Sequence, residues 1–231
     1  MELSEFKLFQ ASVEARFPEA YMLWDRAGAL WAKAAEKFEN LKMHTATPNQ
    51  TVFRSAQVEF SVSLDRASCS EVNPNKNLNP FTESTHAFFR IVNEALDLHE
   101  YSRIGFRLIY VQKFDTYEQA LESLNAVKIL NTPPRVFNHT GAPGAEWTLR
   151  WKDEKQGTTV QLHIDERKHD FQAPLDWEGP KPETASQFRL LYDVDRYVHA
   201  RTLVTQMSFE DWIKQMIHII NRDSDKLLNW P

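Results

Sequence analysis

Carboxylates and arginines set on strand-like segments are the residues of this chain whose spacing suits chemistry. Asp153, followed beyond an apolar strand by Glu166-Arg167-Lys168, has the acid, spacer, Glu-x-Lys order of metal-dependent phosphodiester cleavage. In that chemistry two carboxylates hold a divalent cation and a lysine positions or activates water. The same residues also read as a charged turn (Asp153-Glu154-Lys155) and a strand end entering solvent, and this plainer reading outweighs the first. Asp193 and Asp195 stand two apart on a strand, so they project from one face and have the spacing of a shared metal site. The weightier reading makes them the solvent side of an alternating strand, screened by Arg196.

Arginines punctuate the strands. If Arg107, Arg150 and Arg189 share a sheet face, they form a basic strip able to grip phosphates or an acidic partner. Trp147, Trp151 and Tyr192 would then interleave as stacking platforms. Cross-strand pairing with Glu146, Asp153, Asp193 and Asp195 competes, and it is favoured by the net charge of −5. Nucleic acid is therefore a partner the composition allows without favouring. Apolar anchors among acids and prolines in the 168–185 loop, Phe171 and Trp177 above all, suit recognition of another macromolecule, and equally suit self-packing in which Trp177 covers the core.

Other chemistries find little support. The eight histidines include no i, i+4 pair, and the single cysteine, Cys69, excludes a disulfide and an all-cysteine zinc site. Cys69 reads as a free thiol in a polar loop, and His218 as a partly buried structural histidine on the last helix. Only 6 glycines are present, and neither phosphate-cradling glycine motif occurs. No cofactor is expected. The N-terminus lacks the pattern of a signal peptide, and no apolar run approaches membrane-spanning length. The expected setting is the reducing cytoplasm, with no membrane association.

The elements that must position these residues follow from periodicity. Period-two alternation predicts strands over 9–17, 57–65, 103–114 and 188–198, and a hairpin over 147–153 and 158–166. Helical periodicity predicts helices over 21–42, 82–99, from 115 onward, and from 208 to the C-terminus, with Trp24 and Trp31 on the first buried stripe. Residues 66–81 read as a loop. The half-polar strands predict an α+β fold of mainly antiparallel sheets with amphipathic helices on one face. Two lobes are expected, 1–130 and 146–231. Residues 131–145 form the linker between them, or the two lobes pack as one domain. Both halves carry strand, strand and amphipathic helix, a loose echo that residue identity does not support as a repeat.

Three segments in order resemble a sporadically distributed, uncharacterised prokaryotic family of about 250 residues. Arg103-Ile104-Gly105-Phe106-Arg107 is similar to its "R-hydrophobic-G-hydrophobic-R-Y" strand, although Leu108 and Ile109 follow here where the family has Tyr and a polar residue. Leu190 to Tyr197 resembles its later strand with D-x-D and an aromatic, and Trp212 to His218 its closing helix. The resemblance implies an architecture and a prokaryotic setting, with no activity to transfer. The reading that joins these threads is a non-catalytic interaction protein, an accessory component of a prokaryotic system that binds a protein partner or itself. The alternatives are a nuclease using Asp153, Glu166 and Lys168, and a nucleotide or single-strand binder using the arginine strip.

Overall fold

A computed structural model of the chain describes residues 1–55, 58–127, 146–169 and 185–229. The first half runs β1 (Lys7–Arg16), α1 (Leu23–Lys37), a meander of β2 (Lys42–Thr47), β3 (Gln50–Ser55), β4 (Val58–Ser63) and β5 (Arg66–Val72), then α2 (Asn79–Leu96). After the two-residue β6 (Glu100–Tyr101) the second half repeats this course. It comprises β7 (Arg103–Phe114), α3 (Tyr117–Asn125), a meander of β8 (Trp147–Lys152), β9 (Gln156–His169) and β10 (Ala185–Val198), the short β11 (Thr202–Leu203) and α4 (Phe209–Leu228).

One antiparallel sheet of nine strands, in the order β2-β3-β4-β5-β1-β7-β10-β9-β8, passes through both halves. Its seam is the pairing of β1 with β7, where Val13 lies opposite Phe106. The α+β class, the antiparallel pairing and the helices on one face are as the alternation predicts. The echo between halves is topological: in each, the last strand of the meander returns to pair with the first strand, β5 with β1 and β10 with β7. The proposed linker, 131–145, lies outside the described residues.

Alternation decides which face is buried. Ala11, Val13 and Ala15 of β1 and Ile104, Phe106 and Leu108 of β7 are fully or almost fully buried under the helices. Phe38, Phe60, Phe88, Phe89 and Phe209 form a continuous aromatic run with successive ring centroids 4.5, 4.8, 5.4 and 4.1 Å apart. That run carries the core from α1 across α2 to α4, so the two halves share it. Each buried ring contributes about 1.5–3 kcal/mol.

Several local expectations need correction. α1 ends at Lys37, and Asn40 turns the chain with φ of 55°. The β2–β3 hairpin that follows escaped notice because β2 is almost wholly exposed and has no apolar alternation to read. Residues 66–72 are a strand, not a loop. Their inward residues, Ala67 and Cys69, are small and give a weak hydrophobic signal, yet both are completely buried. Cys69 is thus a core thiol beneath Thr85, pushed up to about 12 mainly by burial. Trp24 is 56% exposed on α1, and its ring meets Tyr21 edge-on. His218 is exposed rather than partly buried. The helix caps follow the sequence more closely: Ser208 Oγ accepts from Asp211 N at the start of α4, and Thr116 caps α3 one residue beyond the expected Asp115.

Candidate functional site

The face of the sheet opposite the helices carries the polar positions of every strand. Cross-strand partners share a face, so the register lays out a row across it: Lys42, Arg54, Glu59, Ser70, Ser12, Arg107, Asp195, Thr159 and Arg150. The adjacent row holds Ser61, Ser68, Glu14, Gly105, Tyr197, Gly157 and Lys152. At about 4.8 Å per strand the nine strands span about 38 Å. Near the seam the face sinks into a concavity of about 250 Å³ lined by Ser12, Glu14, Arg16, Arg103, Gly105, Arg107 and Asp195. A smaller hollow beside it adds Thr159, Gln161 and Asp193.

The geometry gives the Arg-x-Gly-x-Arg and Asp-x-Asp segments one shared role. Both arginines lean in the same direction along β10. Arg107 stands opposite Asp195 but grips Asp193 with Nε, 2.8 Å from Oδ1, and with Nη2. Arg103 crosses Gly105 to reach Asp195 Oδ2 at 3.0 Å and Glu14 Oε1 at 3.4 Å. A Cβ on Gly105 would stand 2.9 Å from the Arg103 guanidinium, so glycine leaves the bay in which that group lies. The same guanidinium sits 4.6 Å above the Tyr197 ring. Tyr197 in turn lies over Gly157, where a Cβ would come within 2.5 Å of the ring. Two of only 6 glycines therefore flank one tyrosine on this face.

Burial sets the electrostatics. The Asp193 side chain is 7% exposed and is neutralised by Arg107, itself 49% exposed. Burial raises the Asp195 carboxyl above its ordinary range, while Arg103 and Arg107 pull against that shift. Asp193 and Asp195 are thus neither a solvated edge nor screened by Arg196. Arg196 lies on the other face, donating to Thr158 Oγ1 at 2.9 Å and to Gln156 Oε1 at 3.0 Å. Each aspartate is already engaged by an arginine, and no group of three metal-ligating side chains occurs among the described residues. No histidine, cysteine or lysine is among the described residues that line the concavity or the hollow beside it.

The other candidates separate. Asp153 caps the β8–β9 turn, its Oδ1 accepting from Lys155 N and Gln156 N at 2.8 Å each, and these bonds lower its pKa. Glu166 lies near the far end of β9 opposite Phe188, and Lys168 stands opposite Ser186. From Gly157 to Glu166 the strand rises about 30 Å at ~3.3 Å per residue. Two carboxylates so far apart cannot hold one cation, which removes the basis of the cleavage reading.

Arg107 and Arg150 do share a face and a row, three strands apart. Arg189 shares the face some 20 Å along β10, by the same rise per residue. It is buried against Asp165 and is not available to a ligand. Trp147, Trp151 and Tyr192 point to the helix side, so they do not interleave with the arginines. Phe171 and Trp177 lie outside the described residues. Glu14, Tyr197 and the glycines opposite it went unrecognised as site residues. Glycine at two strand positions of a glycine-poor chain was the available signal. No helix among the described residues is long and apolar enough to cross a membrane. No protein-family profile matches the chain, and the curated proteins include no significant match.

Proposed function

We propose that the chain is a non-catalytic interaction protein that docks a protein partner, or a second copy of itself, on the open face of its sheet. The observation that carries this reading is the ladder at the seam, where part-exposed guanidinium groups are held in place by carboxylates on neighbouring strands. Such a surface presents ordered donors and a flat aromatic edge while its own charges cancel locally. Protein partners are recognised through arginine and tyrosine in this way. A polyanion would want the opposite, an uncompensated excess of cations. The resemblance to a prokaryotic family fits an accessory role and adds no reaction.

Native mass spectrometry of the protein purified from its own cells tests the reading. The wild type should carry a stoichiometric partner or form an oligomer, and Ser61→Trp with Ser70→Trp on the open face should abolish it. Trp24→Ala on α1 should leave it intact. A wild-type chain that runs alone sinks the proposal. Retention of oligonucleotide that falls steeply with salt, and is lost in Arg107→Ala with Arg150→Ala, would replace it with the strand-binding alternative.

A further inference from the structure

The helix-bearing side of the second half contains a feature that the open face does not explain. A groove of about 380 Å³ runs between α4 and strands β8–β10, floored by Val160, Tyr192, Val194 and Ile220 and walled by Ile219 and Leu227. At the β8–β9 turn it meets a second depression, of about 440 Å³, lined by Arg150, Lys152 and Asp153. Trp151, Thr158 and Arg196 belong to both. One hollow is apolar and the other cationic, and Arg196 stands at their junction.

Arg196 is the informative residue. Its two terminal nitrogens bond only neutral oxygens, and no carboxylate among the described residues pairs with it. Its Nε is buried and has no hydrogen-bond partner. A guanidinium drawn partly out of water with no counter-charge is costly, and an anion beside its terminal nitrogens offsets that cost. Around the second depression three cations face one carboxylate, and Asp153 already accepts two turn amides on its Oδ1. At the far end of the apolar groove Asp223 is satisfied by Arg222 at 2.7 Å and Lys226 at 3.5 Å, so the anion-seeking end is the Arg196 end.

We propose that the two hollows form a binding site for an apolar carboxylate, a fatty-acid-like chain lying over Val160, Val194 and Ile220 with its head on Arg196. The volume falls within the roughly 300–1,000 Å³ of small-molecule sites. Complementary charge selects an anionic head over a neutral or cationic one.

Titration calorimetry with dodecanoate, held below its micelle-forming concentration, tests the assignment on the full chain. Wild type should bind it, and dodecylamine should give no saturable heat. Arg196→Gln should weaken dodecanoate at least tenfold. Ile219→Trp, which fills the groove from a part-exposed position, should abolish binding while the far-ultraviolet circular dichroism stays unchanged. No heat with wild type, equal binding of the amine, or wild-type affinity in both variants overturns the proposal. Ser61→Trp on the open face should not alter dodecanoate binding, so the outcome is independent of the docking reading.

Discussion

The two halves of the molecule share a course but not a filling. In the first, the fifteen-residue α1 lies along α2, tied by Arg26 to the Ala95 carbonyl at 3.1 Å and by Lys33 to Glu94 at 3.1 Å. It drives Trp31 onto Phe53 and Phe38 onto Phe60, so the space above β3 and β4 is filled. In the second, the nine-residue α3 packs mainly on β7, β9 and β10. The flank of α4 at Ile219, Asp223 and Leu227 then faces a groove instead of a helix. Where the crossover helix runs long, the half closes into core. Where it stops short, the same architecture leaves a hollow with Arg196 at its lip.

The largest effect that could break this contrast is a core deletion. Phe60→Ala in the first half should cost about 4 kcal/mol, because Phe38 and Phe88 press on the ring and the cavity cannot collapse. Val160→Ala on the groove floor should cost about 1 kcal/mol, since it removes only two methyl groups and the side chains beside the groove have room to relax. Urea unfolding with a common m-value measures both. Equal losses would mean that the groove is as tightly filled as the core opposite it.

Ion pairs sharpen the contrast at the next level. Arg107→Ala leaves the buried Asp193 carboxylate without its partner and should cost about 2 kcal/mol, discounted from a fully buried pair because Arg107 is half exposed. Arg54→Ala, in the same row of the first half, breaks an exposed pair with Glu59 (2.6 Å) and should cost less than about 0.5 kcal/mol. Asp193→Asn in the Arg107→Ala background should recover part of the larger loss. If it recovers none, the penalty does not come from the stranded charge.

The difference between halves also explains what the sequence made legible. Strongly alternating strands (β1, β7, β10) and the Ser208-capped α4 are readable because one face is apolar and the other charged. β2 is missed because both its faces are wet, and β5 because Ala67 and Cys69 are too small to register as a hydrophobic face. The arginine–aspartate ladder was visible as charge on strands, but register chose the partners, and register is a property of the assembled sheet. The Asp153–Glu166 pairing failed for the same reason. Nearness in sequence across a hairpin says little when one strand outruns the other by half its length. Arg196 was read as a screen for Asp193 and Asp195, yet alternation alone sends residue 196 to the opposite face.

Glycine offers a smaller test with opposite signs. Gly28 sits inside α1 with nothing within 4 Å of an added Cβ, so Gly28→Ala should stabilise by about 0.5–1 kcal/mol through helix propensity. At Gly105 an added Cβ displaces the Arg103 guanidinium from Tyr197 and Asp195, and the variant should lose about 1 kcal/mol. Thermal midpoints read both. Stabilisation in both would show that the bay over Gly105 holds nothing of value.

The finest distinction is in proton linkage. Asp65, on the β4–β5 turn of the first half, has its carboxyl pulled below the ordinary range chiefly by the Arg66 hydrogen bond. Its contribution is present above the unfolded-state pKa and is lost as pH falls through the lower folded value. Asp195 in the second half is pushed up by burial, so the sign reverses. The folded protein holds that proton more tightly than the unfolded chain, and stability from this group falls as pH rises through its folded pKa. Asp195→Asn cannot lose a proton. The stability of the variant relative to wild type should therefore climb between acid and neutral pH, whereas that of Asp65→Asn should decline over the acid range. Carbon-detected carboxyl titrations should place Asp195 above Asp65. The reverse order would mean that the arginine ladder, rather than burial, governs the open face, and that its carboxylates are held as firmly in the charged state as those on the exposed turn.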